Sequence, residues 1–156
     1  MSYQVAIKIA VEHIRSKQYD CLILAHPIPN RLEQVLTEIL RTSDIPIMEI
    51  GRDLSVYLLD VQRGERTRAI QSWFEKKIKQ LEPGPVLCAH IDLLFDPAFN
   101  LDPLNLFRRA ARITKLVVLW PGGFSNGTLS YAVPEHSHYR TWRITDHNIS
   151  VTCLDD

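Results

Sequence analysis

Three short, nearly continuous apolar runs decide most of what this chain can fold into: CLILA at 21–25, VLCAHI at 86–91 and KLVVLW at 115–120. A strand with one wet face alternates apolar with polar residues, whereas these runs do not, so each predicts a strand covered on both sides. Such strands need helices above and below them, and the sequence between the runs supplies those. Leu32, Val35, Leu36, Ile39 and Leu40 recur at the spacing of one helix face. Residues 65–81 set Ala69, Ile70, Trp73, Phe74, Ile78 and Leu81 inward and lysines outward, and Pro83-Gly84-Pro85 ends that helix. LDPLNLFRRAAR at 101–112 predicts a further helix and DLSVYLLD at 53–60 a short one, while Val5, Ile7, Ala10, Val11 and Ile14 predict a lead-in helix over 3–17. IPIMEI, Ile45 to Ile50, reads as another strand, with Pro46 suited to a start or an edge. After PGGFSNG the pattern changes: TLSYAV and HYRTWRI alternate and ISVTCL follows, which predicts antiparallel edge additions to a mainly parallel sheet. The expected architecture is a single three-layer α/β domain over residues 1–156.

Charge and cysteine usage narrow the setting. Eighteen basic residues offset eighteen acidic ones, so no global field draws the chain to nucleic acid or to a membrane surface. Cys21, Cys88 and Cys153 lie far apart, without a CxxC pair and in apolar surroundings, which predicts reduced, buried thiols and a cytoplasmic location. MSYQVAIKIAVEHIR has neither the apolar core nor the cleavage site of a signal peptide, and no run approaches the length of a membrane span.

In a three-layer α/β fold the ligand crevice opens at the carboxyl ends of the parallel strands. Those ends read AHPIPNR, HIDLLFDP and WPGGFSNG, and the crevice candidates on or beside them are His26, Asn30, Arg31, His90, Asp92 and Trp120. A strand–loop–helix unit at the first end suggests a phosphate loop. Its chemistry does not follow, because such a loop curls its backbone around phosphate using glycines and adds a lysine and a Ser or Thr hydroxyl. The first glycine here is Gly51, no Gly-Lys-Ser/Thr occurs, and Pro27 and Pro29 remove two backbone donors. Asn30 is expected to cap the following helix, with Glu33 closing a capping box where a phosphate would otherwise sit. At the third strand, Ala89 stands where a magnesium-ligating aspartate would be needed. Two further chemistries remain open. His26, His90 and Asp92, joined by His136-x-His138, carry the ligand types of a metal-assisted hydrolase. Arg108, Arg109 and Arg112, in RRAAR, offer a cationic helix face to nucleic acid or to an acidic partner.

The ordered set HIDLLFDPAFNLDPLNLFRRAAR, VVLWPGG and GTLSYAVPEHSHYR, covering most of residues 86–140, resembles the BrxF family, the small P-loop proteins of type 3 BREX (bacteriophage-exclusion) systems. That family shows an acidic pair, ELLFDP, LDPL, a VVAWPG-like strand end and a G-x-L-x-YA-x-P-x-H-x-x-Y segment. The resemblance implies a RecA-like or P-loop-like fold, a place in antiphage defence and, as partners, other proteins of a defence complex or further copies of this chain. The departures fall on the nucleotide site: AHPIPNR replaces the glycine-rich loop and Ala89 the strand-end acid, while Asp92 alone matches the second acid. No catalytic, cofactor-binding or metal-binding role is therefore carried over, and ATP hydrolysis is not expected.

Overall fold

The computed structural model describes residues 3–16 and 20–154. Its frame is a five-stranded sheet made of β1 (Cys21–Ala25), β2 (Ile47–Glu49), β3 (Val86–Ala89), β4 (Leu116–Trp120) and β8 (Ile149–Cys153), in the order β2-β3-β4-β1-β8. Every pairing in it is parallel. Helices α1 (Tyr3–Arg15) and α2 (Pro29–Thr42) cover one face, and α3 (Ile50–Leu58), α4 (Arg66–Gln80) and α5 (Pro103–Ala110) the other. The three-layer arrangement follows from the apolar runs themselves. Along β1, Cys21, Ile23 and Ala25 join the core beneath α3–α5, while Leu22 and Leu24 join the core beneath α1 and α2. β4 divides the same way, with Leu116, Val118 and Trp120 on one side and Val117 and Leu119 on the other. Burying such side chains contributes roughly 1.5–3 kcal/mol each.

The antiparallel addition is a separate three-stranded sheet of β5 (Phe124–Ser125), β6 (Thr128–Tyr131) and β7 (Arg140–Arg143). Asn126 and Gly127, both at positive φ, turn β5 into β6. ISVTCL does not belong to this sheet. It forms β8, parallel to β1 with Cys21 opposite Ile149 and Ala25 opposite Cys153, which corrects the antiparallel expectation. Its alternation comes from being an edge strand with one neighbour, and that half-exposure does not encode direction.

Other expectations shift at their ends. The strand within IPIMEI spans only Ile47–Glu49, and α3 begins at Ile50 because the Glu49 carboxylate accepts from the Arg52 amide and caps the helix early. α2 starts at Pro29, with Ile28 at the cap position and no side-chain cap, so neither Asn30 nor Glu33 forms the capping box. Pro29 is suited to a first helical position, where its missing N–H would have had no helical partner. α1 turns Ala6, Ala10 and His13 inward, whereas Val5 lies exposed; residue 17 falls outside the described residues. All three cysteines are free, Cys21 and Cys88 are buried, and burial pushes the Cys21 thiol up to about 12. Among the described residues no helix is long and apolar enough to cross a membrane.

Candidate functional site

The first strand end is a short, closed connection. His26 is 3% exposed; its backbone N–H donates to the Trp120 carbonyl at 3.1 Å, and its Nδ1 accepts from the Ile28 amide at 2.9 Å. The imidazole therefore orders the turn into α2 and does not face the crevice. Asn30 lies exposed on the first turn of α2, and Arg31 reaches along that helix to the Gln34 side chain at 3.2 Å.

At the third strand end the backbone leaves the sheet sharply, with His90 at φ 54. Left-handed backbone is uncommon for a residue with a Cβ, and it throws the ring across the carboxyl ends of the strands. The close approach of α3 depends on Gly51, where an added Cβ would lie 3.1 Å from the His90 carbonyl oxygen. The His90 ring is held from both sides. Nδ1 meets Glu49 Oε1 at 2.6 Å, and Nε2 is hydrogen-bonded to Glu33 Oε1 from α2. Burial works against a charged ring here, but the hydrogen bonds to Glu33 and Glu49, with their charges, outweigh it and hold the His90 pKa above its ordinary value. The His90 side chain thus ties together α2, β2 and the end of β3.

What remains of the crevice is a cleft of about 40 Å³ bordered by Leu32, Glu33, Ala89, His90, Asp92 and Pro121. Small-molecule sites run to about 300–1,000 Å³, so this one holds water-sized occupants. Asp92 points instead to the small sheet, accepting from the Tyr131 hydroxyl at 3.0 Å. Burial first, and the Asp92 charge second, raise the Tyr131 pKa and keep the phenol protonated.

Trp120, expected in the crevice, is fully buried on the opposite side of β4. Its ring lies edge-on to Phe95 at 5.0 Å and to Trp142 at 5.4 Å, and its Nε1 donates to the Ser130 carbonyl at 2.8 Å. The metal constellation does not assemble: His26, His90 and Asp92 each face a separate partner. His136 Nδ1 accepts from the His138 amide at 3.0 Å. No group of three or more His, Cys, Asp or Glu among the described residues is placed to hold a metal ion. The two carboxylates on His90 approach opposite ring nitrogens and so cannot converge on one ion. The arginine trio also separates. Arg108 pairs with Asp146 at 2.6 and 3.0 Å, while Arg109 and Arg112 border a groove between α4 and α5, Arg112 lying beyond the end of its helix.

The residues that sequence reasoning missed are Glu49 and Tyr131, and it gave Glu33 a different task. Glu49 carried a faint signal as a lone acid at the end of an apolar strand. Tyr131 carried none, because its partner, Asp92, lies 39 positions away. No protein-family model, curated protein or solved structure matches the chain.

Proposed function

We propose that this protein is a nucleotide-free, P-loop-like scaffold or adaptor of a bacterial antiphage defence complex of the BREX kind. The observation that carries the reading is the bridge Glu33–His90–Glu49, which fills the strand-end crevice with the protein's own charges. A central strand, β1, runs straight into α2, the succession in which P-loop proteins place strand, phosphate loop and helix. A nucleotide with magnesium, which that fold family implies, does not fit the residues present. Pro29 opens α2, the connection has no glycine, and Glu33 and Glu49 bring negative charge to where phosphates would lie.

The segments behind the family resemblance support a structural role for that half of the chain. Phe95 of LLFDP stacks on Tyr131 of SYAVP, with centroids 3.9 Å apart and planes within 5°, and both pack with Trp120 of LWPGG in one core. Gly122 of WPGG admits no side chain, since an added Cβ would lie 1.7 Å from the Ser130 carbonyl oxygen. Asp102 of LDPL caps α5 through the Asn105 amide and accepts from Trp142 Nε1 at 3.1 Å. The matched residues thus join the small sheet to the large one, and the departures fall on the crevice.

A thermal-shift titration with ATP and magnesium tests the reading. Ligand at 100 times its dissociation constant would contribute about 2.7 kcal/mol, so a bound nucleotide would raise the midpoint clearly. The expected result is no shift. For the pathway, the gene is expected beside a BREX-type methyltransferase and phosphatase, and a different neighbourhood would count against the defence assignment.

A further inference from the structure

The two arginines left over from RRAAR sit at a groove that the crevice does not explain. Between α4 and α5 lies a cavity of about 190 Å³. Phe74, Ile78, Leu106 and Ile113 line it, and Arg109 and Arg112 stand exposed at its border. The charges around it are unequal. Arg108, next in sequence, is turned away and neutralised by Asp146. Glu75, the acid on the same border, has Lys79 at 3.6 Å one turn along α4. Arg109 and Arg112 have no side-chain hydrogen bond or ion pair among the described residues, so the border keeps net positive charge over an apolar floor.

The size of the groove decides the class of occupant. Its volume falls below the roughly 300–1,000 Å³ of small-molecule sites and suits one or two apolar side chains, the way a partner's anchor residue seats in a pocket. Nucleic acid would gain little here, since two guanidinium groups do not track a phosphate backbone and the floor gives no extended cationic stripe. We infer that the α4–α5 groove is a docking site for a segment of a partner protein that inserts an apolar side chain between α4 and α5 and sets flanking carboxylates on Arg109 and Arg112. Guanidinium and carboxylate meet bidentately, which orients the segment as the apolar anchor supplies affinity. The site rests on the adaptor reading and names the chemistry of what that adaptor would hold.

Fluorescence anisotropy with the full chain tests the site. The probe is a short fluorescein-labelled peptide repeating Glu-Glu-Leu-Phe, alongside a second repeating Lys-Lys-Leu-Phe and a third repeating Glu-Glu-Ala-Ala. The acidic apolar peptide is expected to bind, and both controls to bind roughly ten-fold more weakly or worse. In the exposed double variant Arg109→Glu with Arg112→Glu, preference should pass to the basic peptide, with an unchanged unfolding midpoint showing that the fold is intact. Backbone amide NMR shifts on peptide addition should centre on Phe74, Ile78 and Ile113. Absence of binding, equal binding of the three peptides, unaltered binding in the double variant, or tighter binding of a single-stranded oligonucleotide overturns the site. The nucleotide titration is a separate readout: a failed peptide with no nucleotide binding removes this groove and leaves the scaffold reading standing, whereas nucleotide binding removes the scaffold reading itself.

Discussion

The junction beneath the small sheet and the bridge at the strand ends lie close together and are built on opposite principles. Phe95, Trp120 and Tyr131 form a buried aromatic cluster against which the partly buried Trp142 packs, with Trp120 fully buried and its one polar atom satisfied. Glu33, His90 and Glu49 form a half-exposed charged bridge of a few hydrogen bonds. The first contributes stability through buried area and packing. The second contributes little stability and instead occupies a place. The two regions share none of these residues, so each can be perturbed by its own substitutions.

The largest expected effect breaks the junction. Trp120→Ala should cost about 3–5 kcal/mol, as large-to-small changes at buried aromatics do, measured by chemical denaturation. A loss under about 1 kcal/mol would mean that the small sheet is not anchored there.

Two histidines sharpen the contrast between buried and exposed sites. At His13, burial first and the Lys115 charge second push the pKa down to about 4 from an ordinary 6.5. The unfolded chain therefore takes up a proton that the folded chain refuses, and stability present above pH 6.5 should fall as the pH drops toward 4. The loss should be on the order of 2 kcal/mol, and His13→Leu should flatten that slope in pH-dependent denaturation. His90 has the opposite sign. Its pKa is raised, so its contribution is complete below the ordinary histidine value and is lost as the pH rises through the raised one.

Smaller effects separate the bridge from the junction. Tyr131→Phe removes the bond to Asp92 and keeps the stacked ring, and should cost about 1 kcal/mol. Glu33→Gln with Glu49→Gln should change stability by less than about 1 kcal/mol, because Glu33 and the His90 ring are about half-exposed and Glu49 is partly exposed. The same pair should lower the His90 pKa, followed by NMR titration of its ring protons; an unmoved pKa would show that the carboxylates do not hold the ring.

Much of the frame was legible because a doubly covered strand must be apolar throughout, and the runs at β1, β3 and β4 were. The direction of β8 was not, since edge exposure gives the same alternation in either orientation. Trp120 was misread for a reason visible in the sequence: it stands two and four positions after Val118 and Leu116 and shares their face, so its ring enters the core beneath α3–α5. The bridge was hidden for a deeper reason. Its members come from positions 33, 49 and 90 and meet only because His90 adopts a left-handed backbone, which no residue but glycine advertises.

The most direct test of the central claim follows the His90 ring protons and the Glu49 amide by NMR while ATP and magnesium are raised to millimolar concentration. A crevice already filled by Glu33, His90 and Glu49 predicts that neither signal moves beyond the change produced by an equal ionic strength of simple salt. A saturable shift of both, accompanied by a rise in the unfolding midpoint, would show that nucleotide displaces the bridge and would contradict the account.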